Sequence, residues 1–412
     1  MSMVDHQIPS IDRSFFNLKR TEADVVRELL FGELLSRSDL ANILGLSRAS
    51  ITAIVNNLID KGILVEVGQG ESAGGRRPLL LDINGNVGYV AGVDIGATSI
   101  DIALADFKGE ILERYCEPAD VNDDPETVLD RVCDILDSLI AESAGLERPL
   151  VAAGIGVPGP VQFSQGVLIA PPLMPNWEGY PIREFINARF PLVNAVVDND
   201  VNIMAKGEQI AGAGQGIDNF LFVKIGTGIG CGIISNDTVY RGSDGCAGDI
   251  GHICVDYNGP ICRCGNAGCL EYMAAGPAIA DAAKMGALAG HSRLLSQRME
   301  ENNGALTAQD VGDAAANGDR LANEIIRQSG RRIGGVLAGL VNFFNPRIIL
   351  IGGGISKIGH QFLSSVRQAT LRRATALSTR QLRIEYSVLG DDAGVIGAIW
   401  LALEHIFEIE ES

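Results

Sequence analysis

Two incompatible hydrophobic periods share this chain and meet at Asn84-Gly85-Asn86. Upstream, apolar residues recur at helical spacing: Val25, Val26, Leu29 and Leu30, then Leu40, Ile43 and Leu44, then Ile51, Ile54, Val55, Leu58 and Ile59. Gly45 ends the second run, Ser47 is placed to cap the third, and Gly62 stops it. Residues 63–67 and 79–83 read as strands around a polar, glycine-rich tip at 68–75. Three helices and a hairpin make a winged helix-turn-helix over residues 1–84, with 11–19 as a leader.

Downstream the chain reads as α/β. Strands are expected at 89–95, 100–106, 111–115 and 150–157, with a helix over 125–143. The opening pattern, strand–glycine turn–strand, recurs at 220–235, and a strand at 347–351 runs into Gly352-Gly353-Gly354. Two related halves follow. The last helix, 392–407, is expected to pack back on the first half, so the lobes are drawn as 85–198 plus 392–408, and 199–391.

Composition narrows the class. The chain has 412 residues, 46% of them hydrophobic and 20% charged, which is globular rather than disordered. Its net charge of −18 excludes a whole-chain basic footprint for nucleic acid. The first 82 residues are nearly neutral, with 9 basic and 11 acidic side chains, so any contact with an anionic polymer falls there. No basic, apolar leader opens the sequence and no run of 18 uncharged apolar residues occurs, so a cytoplasmic protein without membrane spans is expected. Eight cysteines are then not a disulfide framework.

Four residue groups carry chemistry. In the helix-turn-helix, Ser47, Arg48, Ser50, Thr52, Asn56 and Asn57 lie on the outer face of the third helix, where donors and acceptors reach base edges. Arg76 and Arg77 at the wing suit phosphates or a narrow minor groove. A small helical domain with a polar surface would share this pattern. Glycine turns at Asp94-Ile95-Gly96-Ala97-Thr98, Gly226-Thr227-Gly228 and Gly353 could bring backbone N–H groups to a nucleotide, with Asp94 holding Mg²⁺ through water. Structural hairpin glycines give the same sequence.

Asp200, at a strand end beside Asn199, could take a proton from a hydroxyl; a polar helix cap would look alike. The fourth group is the sharpest. His252, Cys262, Cys264 and Cys269 supply one imidazole and three thiolates, a closed tetrahedral set for structural Zn²⁺, against the alternative of reduced buried thiols. Cys116, Cys133, Cys231, Cys246 and Cys254 stand singly in apolar surroundings and are expected in the core.

These residues resemble the ROK family of repressors and sugar kinases over nearly the whole chain. The similarity is most specific at His252 and Gly259…Cys262-Arg-Cys264-Gly265-Asn-Ala-Gly268-Cys269-Leu-Glu271, and extends to Asp94–Thr98, Gly154-Ile-Gly-Val-Pro-Gly159, Asn199-Asp200…Asn202 and Gly226-Thr227-Gly228. The fused winged helix resembles the family's sugar-responsive repressors, among them xylose and N-acetylglucosamine regulators. The resemblance implies an actin-like, hexokinase-type fold with a cleft between two lobes. It implies sugar contacts from Asn199, Asp200, Asp249, His252 and Glu271, with His252 shared between zinc and sugar. Two positions depart from the family pattern: Ala97 replaces a glycine, and Asp249 replaces a glutamate.

The expected protein is therefore a DNA-binding regulator, a repressor controlled by a sugar, acting as a homodimer or homotetramer on a double-stranded operator. The rival is an ATP- and Mg²⁺-dependent sugar kinase with Asp200 as general base and Asp94, Gly96, Thr98, Gly226, Thr227, Gly228 and Gly353 at the nucleotide. A module that senses a partner protein is a third class, with no sequence support.

Overall fold

The computed structural model describes residues 13–32, 34–70, 77–143 and 148–407. After a 3-10 turn at Arg13–Phe16 come α1 (Arg20–Phe31), β1 (Leu35–Ser36), α2 (Arg37–Leu44), α3 (Arg48–Asp60), β2 (Leu64–Gln69) and β3 (Leu79–Ile83). Gly45 takes φ 65° and donates its N–H to the Ala41 carbonyl, which turns the chain from α2 into α3. Ser47 caps α3 by accepting the Ser50 N–H at 3.1 Å. Ile51, Val55 and Leu58 are fully buried against Val25, Val26 and Leu40; Ile54 and Ile59 are half-buried and Ile43 is exposed. Arg76, the wing tip at 71–75, residues 11–12 of the leader and residue 408 lie outside the described residues.

A first sheet follows: β4 (Tyr89–Ile95), β5 (Ser99–Ala105), β6 (Ile111–Pro118), α4 (Pro125–Glu142), β7 (Leu150–Val157), a small hairpin of β8 (Val161–Gln162) and β9 (Val167–Leu168), α5 (Ile182–Arg189) and β10 (Asn194–Asn199). Its order is β10-β7-β4-β5-β6. Then come α6 (Asp200–Ala211), β11 (Asn219–Ile225), β12 (Ile229–Ser235) and β13 (Thr238–Val239). The helices α7 (Leu270–Ala274), α8 (Gly276–Leu288), α9 (Arg293–Glu301), α10 (Ala308–Ala316) and α11 (Arg320–Phe344) precede β14 (Ile348–Gly352). The chain closes with α12 (His360–Arg373), α13 (Ala376–Thr379), β15 (Arg383–Tyr386) and α14 (Asp392–His405). The second sheet runs β13-β12-β11-β14-β15.

The two sheets are one pattern used twice. In each, the first strand pairs antiparallel with the next and parallel with a later one, which pairs parallel with the last. This duplication matches the recurrence of strand, glycine turn and strand. The fully buried faces of β4, β7 and β14 explain their unbroken apolar runs.

Helices α6 and α14 each follow the last strand of a sheet, and they pack on each other between the two. Their approach requires glycine: a Cβ on Gly397 would run into the Ile203 carbonyl, and one on Gly207 into that of Ala393. Gly154 makes the same allowance for α14 against β7. Buried Glu208 of α6 accepts the Leu389 N–H at 3.1 Å and holds the turn entering α14.

The winged helix is not strung on a linker. Phe16 stacks near Phe107 of the first lobe (5.6 Å between ring centroids), and Phe107 meets Phe407, just after α14 (5.7 Å). Phe31 of α1 lies 5.1 Å from Trp400 of α14. One apolar core thus runs from α1 and α3 through Phe107 to Val395, Ile399 and Leu403. Among the described residues, no helix is long and apolar enough to cross a membrane.

Candidate functional site

The two strand–turn–strand units and the N-terminus of α6 face one another across a cleft. It is lined by Ala97, Pro158–Pro160, Asn199, Asp200, Lys224, Thr227–Cys231, Gly245–Asp249, His252 and Glu271. All five residues expected at a sugar therefore meet in one cavity. Asn199 is also the cap of α6: its Oδ1 accepts the N–H groups of Val201 (2.9 Å) and Asn202 (3.3 Å), and its Nδ2 donates to the Gly159 carbonyl (2.9 Å). One Nδ2 hydrogen is left for a ligand. Glu271 accepts the Ile229 N–H at 2.9 Å, and Gly228 has no side chain because a Cβ would collide with that carboxylate.

The expected nucleotide residues are only partly gathered. Thr227 and Gly228 line the cleft with Ala97, which stays out of the left-handed region, so its methyl is accommodated without strain. Gly96, Thr98, Gly226 and Gly353 do not line it. Asp94 lies behind, packed against Gly394, with Oδ1 lacking a hydrogen-bond partner. Burial pushes its carboxyl up to about 7, opposed by Lys224 and reinforced by Asp200 and Asp101.

A carboxyl raised by folding stabilises fully below its unfolded pKa, and the contribution disappears as pH rises through the folded value. Asp94 therefore weakens the fold progressively as pH rises from about 4 to about 7, and the loss persists above that. Asp94→Asn should flatten that part of the stability profile and raise the urea midpoint at pH 8 more than at pH 5. Equal shifts at both pH values would contradict it.

The four metal-type ligands also converge. Their donor atoms lie within 4.8 Å of one another, with Cys264 Sγ 3.6 Å from Cys269 Sγ and Cys262 Sγ 3.7 Å from His252 Nδ1. Thiolate bonds of about 2.3 Å in a tetrahedron hold sulfurs about 3.8 Å apart, so the set fits a tetrahedral ion. Gly268 (φ 66°) makes the fold-back possible, since a Cβ there would run into Asp256. With Nδ1 toward the thiols, His252 presents Nε2 to the cleft, 3.9 Å from Asp249. Glu271 stands two residues after Cys269, so the loop that holds an ion also positions two ligand-facing side chains.

Three of the single cysteines depart from expectation. Cys133 and Cys231 are buried, but Cys116, Cys246 and Cys254 are exposed. Cys116 sits on the outward edge strand β6; Cys246 lines the cleft, and Cys254 stands two residues after His252. Neighbouring apolar letters do not reveal that a strand is an edge.

On the winged helix, Ser47, Arg48, Ser50, Thr52, Asn56 and Arg77 are all exposed. Some polar groups are already engaged: Thr52 Oγ1 donates to the Arg48 carbonyl (2.7 Å), and Asn56 accepts from Arg37 (3.1 Å). Asn57 is exposed as well, but its Nδ2 donates to Glu22 of α1 at 2.7 Å, so it also fastens α3 to α1.

Three functional-looking residues were not expected. Arg37 stands beside α3 and pairs with Glu66 at 2.7 Å. Arg241 pairs with buried Asp198 at 2.7 Å and lies 3.9 Å above the Phe163 ring. Lys224 pairs with Asp200 at 2.6 Å. Only Lys224 left a trace in the sequence: a lone charge in the apolar strand Asn219–Ile225.

Comparison with known proteins agrees with this geometry. The ROK family model matches residues 90–405, and a MarR family model matches residues 16–77. A xylose repressor of Caldicellulosiruptor bescii is 32% identical over 394 residues, covering 94% of this chain and 96% of that protein. A crystal structure described as a ROK family transcriptional regulator, homologue of the E. coli MLC protein, superposes with a TM-score of 0.81 at 30% identity, over 96% of this chain and 98% of that one. A ROK family glucokinase from Streptomyces griseus, solved with glucose and AMPPNP, gives 0.67 at 31% identity over 76% of this chain and 99% of its own. The shared match spans both sheets and the cleft, and the chain belongs to the ROK family.

Proposed function

We propose that the protein is a sugar-responsive transcriptional repressor: its winged helix binds operator DNA, and a sugar in the cleft changes that affinity. One observation carries the reading. Helix α6 holds Asn199 and Asp200 at the cleft and, two turns on, places Lys206 5.5 Å from the Phe31 ring of α1. The same Lys206 pairs with Glu404 of α14. A ligand that shifts α6 therefore acts both on α1 of the winged helix and on α14, against which α1 packs. Such a ligand changes operator affinity by its differential affinity for the two arrangements. The whole-length match to a xylose repressor and a ROK regulator supports the same function.

The finer features follow. Zinc is the ion that suits one imidazole and three thiolates with no open position; bound, it supplies a structural crosslink. Nε2 of His252 and the Asn199, Asp200, Asp249 and Glu271 side chains bind hydroxyls of an aldose. The chain divides after residue 84 and again between 198 and 199, with 392–408 returning to the first lobe. It works in the cytoplasm as a dimer or tetramer, because two half-sites about 34 Å apart, or a multiple of that, need two recognition helices.

The DNA side is tested by substitution. Arg48→Ala should cost about 1–3 kcal/mol of operator affinity and relax preference at one base position. Arg77→Ala should weaken all DNA alike and reduce the salt dependence. Fluorescence anisotropy with operator and scrambled duplexes separates the two. Unchanged affinity in both variants would place the DNA surface elsewhere.

A further inference from the structure

Lys224 is the one Lys or Arg among the described residues lining the cleft, where Asp200, Asp249 and Glu271 also stand. It is the penultimate residue of β11, immediately before the turn Ile225-Gly226-Thr227. From the second sheet its side chain reaches across to Asp200 at the start of α6, with Nζ 2.6 Å from Oδ2. The other oxygen, Oδ1, accepts the Val201 N–H at 2.9 Å. Both carboxylate oxygens are thus engaged, and Asp200 is buried. Burial opposes the Lys224 charge, but Asp200 and Asp94 outweigh it and keep the ammonium protonated.

A carboxylate acts as general base only if it can take the hydroxyl proton within hydrogen-bond reach. Here an ammonium holds one carboxylate oxygen and the Val201 N–H the other, in the same cleft where the hydroxyl would bind. We propose that Lys224 is a positioning residue that locks Asp200 as a hydrogen-bonding anchor for sugar and withholds it as a base, so that the cleft binds sugar without phosphorylating it. This rests on the regulator reading and deepens it: the same cleft senses its ligand and returns it unchanged.

The transfer withheld is fully specified. A sugar hydroxyl oxygen would bond to the γ-phosphorus of Mg-ATP, the bond from that phosphorus to the β,γ-bridging oxygen would break, ADP would leave, and the hydroxyl proton would go to Asp200. No oxidation state changes.

The test compares the full-length chain with Lys224→Met, which keeps length and removes charge. Lys224→Thr, a residue suited to strands, serves if the first does not fold. ADP release with Mg-ATP is measured across xylose, glucose and N-acetylglucosamine, beside calorimetric sugar binding. The variant is expected to release ADP at least tenfold faster than wild type with a sugar it binds. Lys224→Arg should restore the suppression, and adding Asp200→Asn to Lys224→Met should abolish the gain. A wild-type chain that phosphorylates the sugar overturns the proposal, as does a folded, sugar-binding variant without gain. Failure of the regulator reading is separate: it would show as wild-type operator affinity indifferent to sugar, whatever Lys224 does.

Discussion

On the proposed zinc crosslink, replacing Cys262 with serine should empty the site and cost the protein its proposed response to sugar. Cys262 and Cys269 are buried, and the loop between His252 and Cys269 has little regular structure to hold it without an ion. Structural zinc contributes on the order of 10 kcal/mol in small domains, so losing one of three thiolates leaves a weak site. The consequence should spread to the cleft because His252 turns Nδ1 toward Cys262 while lining the cleft, and Glu271, also in the lining, lies in the first turn of α7 as it leaves the loop. Groups that orient a metal-bound side chain typically matter by about 10–100-fold in metal affinity or activity. Elemental analysis should therefore show less than one ion per chain, and calorimetry a sugar affinity at least tenfold weaker. Operator binding without sugar should persist, since the winged helix packs on the first sheet and α14 and shares no core residue with the His252–Cys269 loop. Undiminished sugar affinity in a metal-free variant would refute the shared role of His252.

Arg241→Ala should be the most damaging single change at the junction between the sheets. Asp198 is 2% exposed and receives Arg241, the Asn202 side chain (2.8 Å) and the Asn199 N–H (2.7 Å). Removing the guanidinium strands a buried carboxylate, which typically costs about 3–5 kcal/mol. It also uncovers the Phe163 ring, which lines the crevice shared by Arg27, Phe31, Lys206 and His405. Because Asp198 immediately precedes Asn199, the variant should lose both stability and the link between cleft and winged helix. Adding Asp198→Asn removes the stranded charge and should recover more than half of the lost stability in urea denaturation. Purely additive losses would show that the pair does not act as a unit.

Local sequence carried much of this architecture. The strands 89–95 and 150–157 coincide with their apolar runs because both faces are buried, and the Ser47 cap and Gly45 turn act through adjacent residues. The His252, Cys262, Cys264 and Cys269 cluster was readable because three of the four lie within eight residues. What escaped depends on partners far along the chain. Lys224 meets Asp200 across two sheets, Arg241 meets Asp198 across 43 residues, and Phe107 joins Phe16 to Phe407. No periodicity reports such pairings. Asn57 shares helical spacing with the reading face, yet Glu22 claims it; spacing places a residue on a face but not its hydrogen bond.

The most direct test is operator affinity at fixed salt, with and without sugar, using duplex DNA from upstream of the protein's own gene. Xylose, glucose and N-acetylglucosamine would be added in turn, each beside Glu271→Gln, which should no longer bind them. One sugar should weaken operator binding at least tenfold, about 1.4 kcal/mol of coupling, in the wild type and not in the variant. Tight operator binding that no sugar alters would contradict control through the cleft.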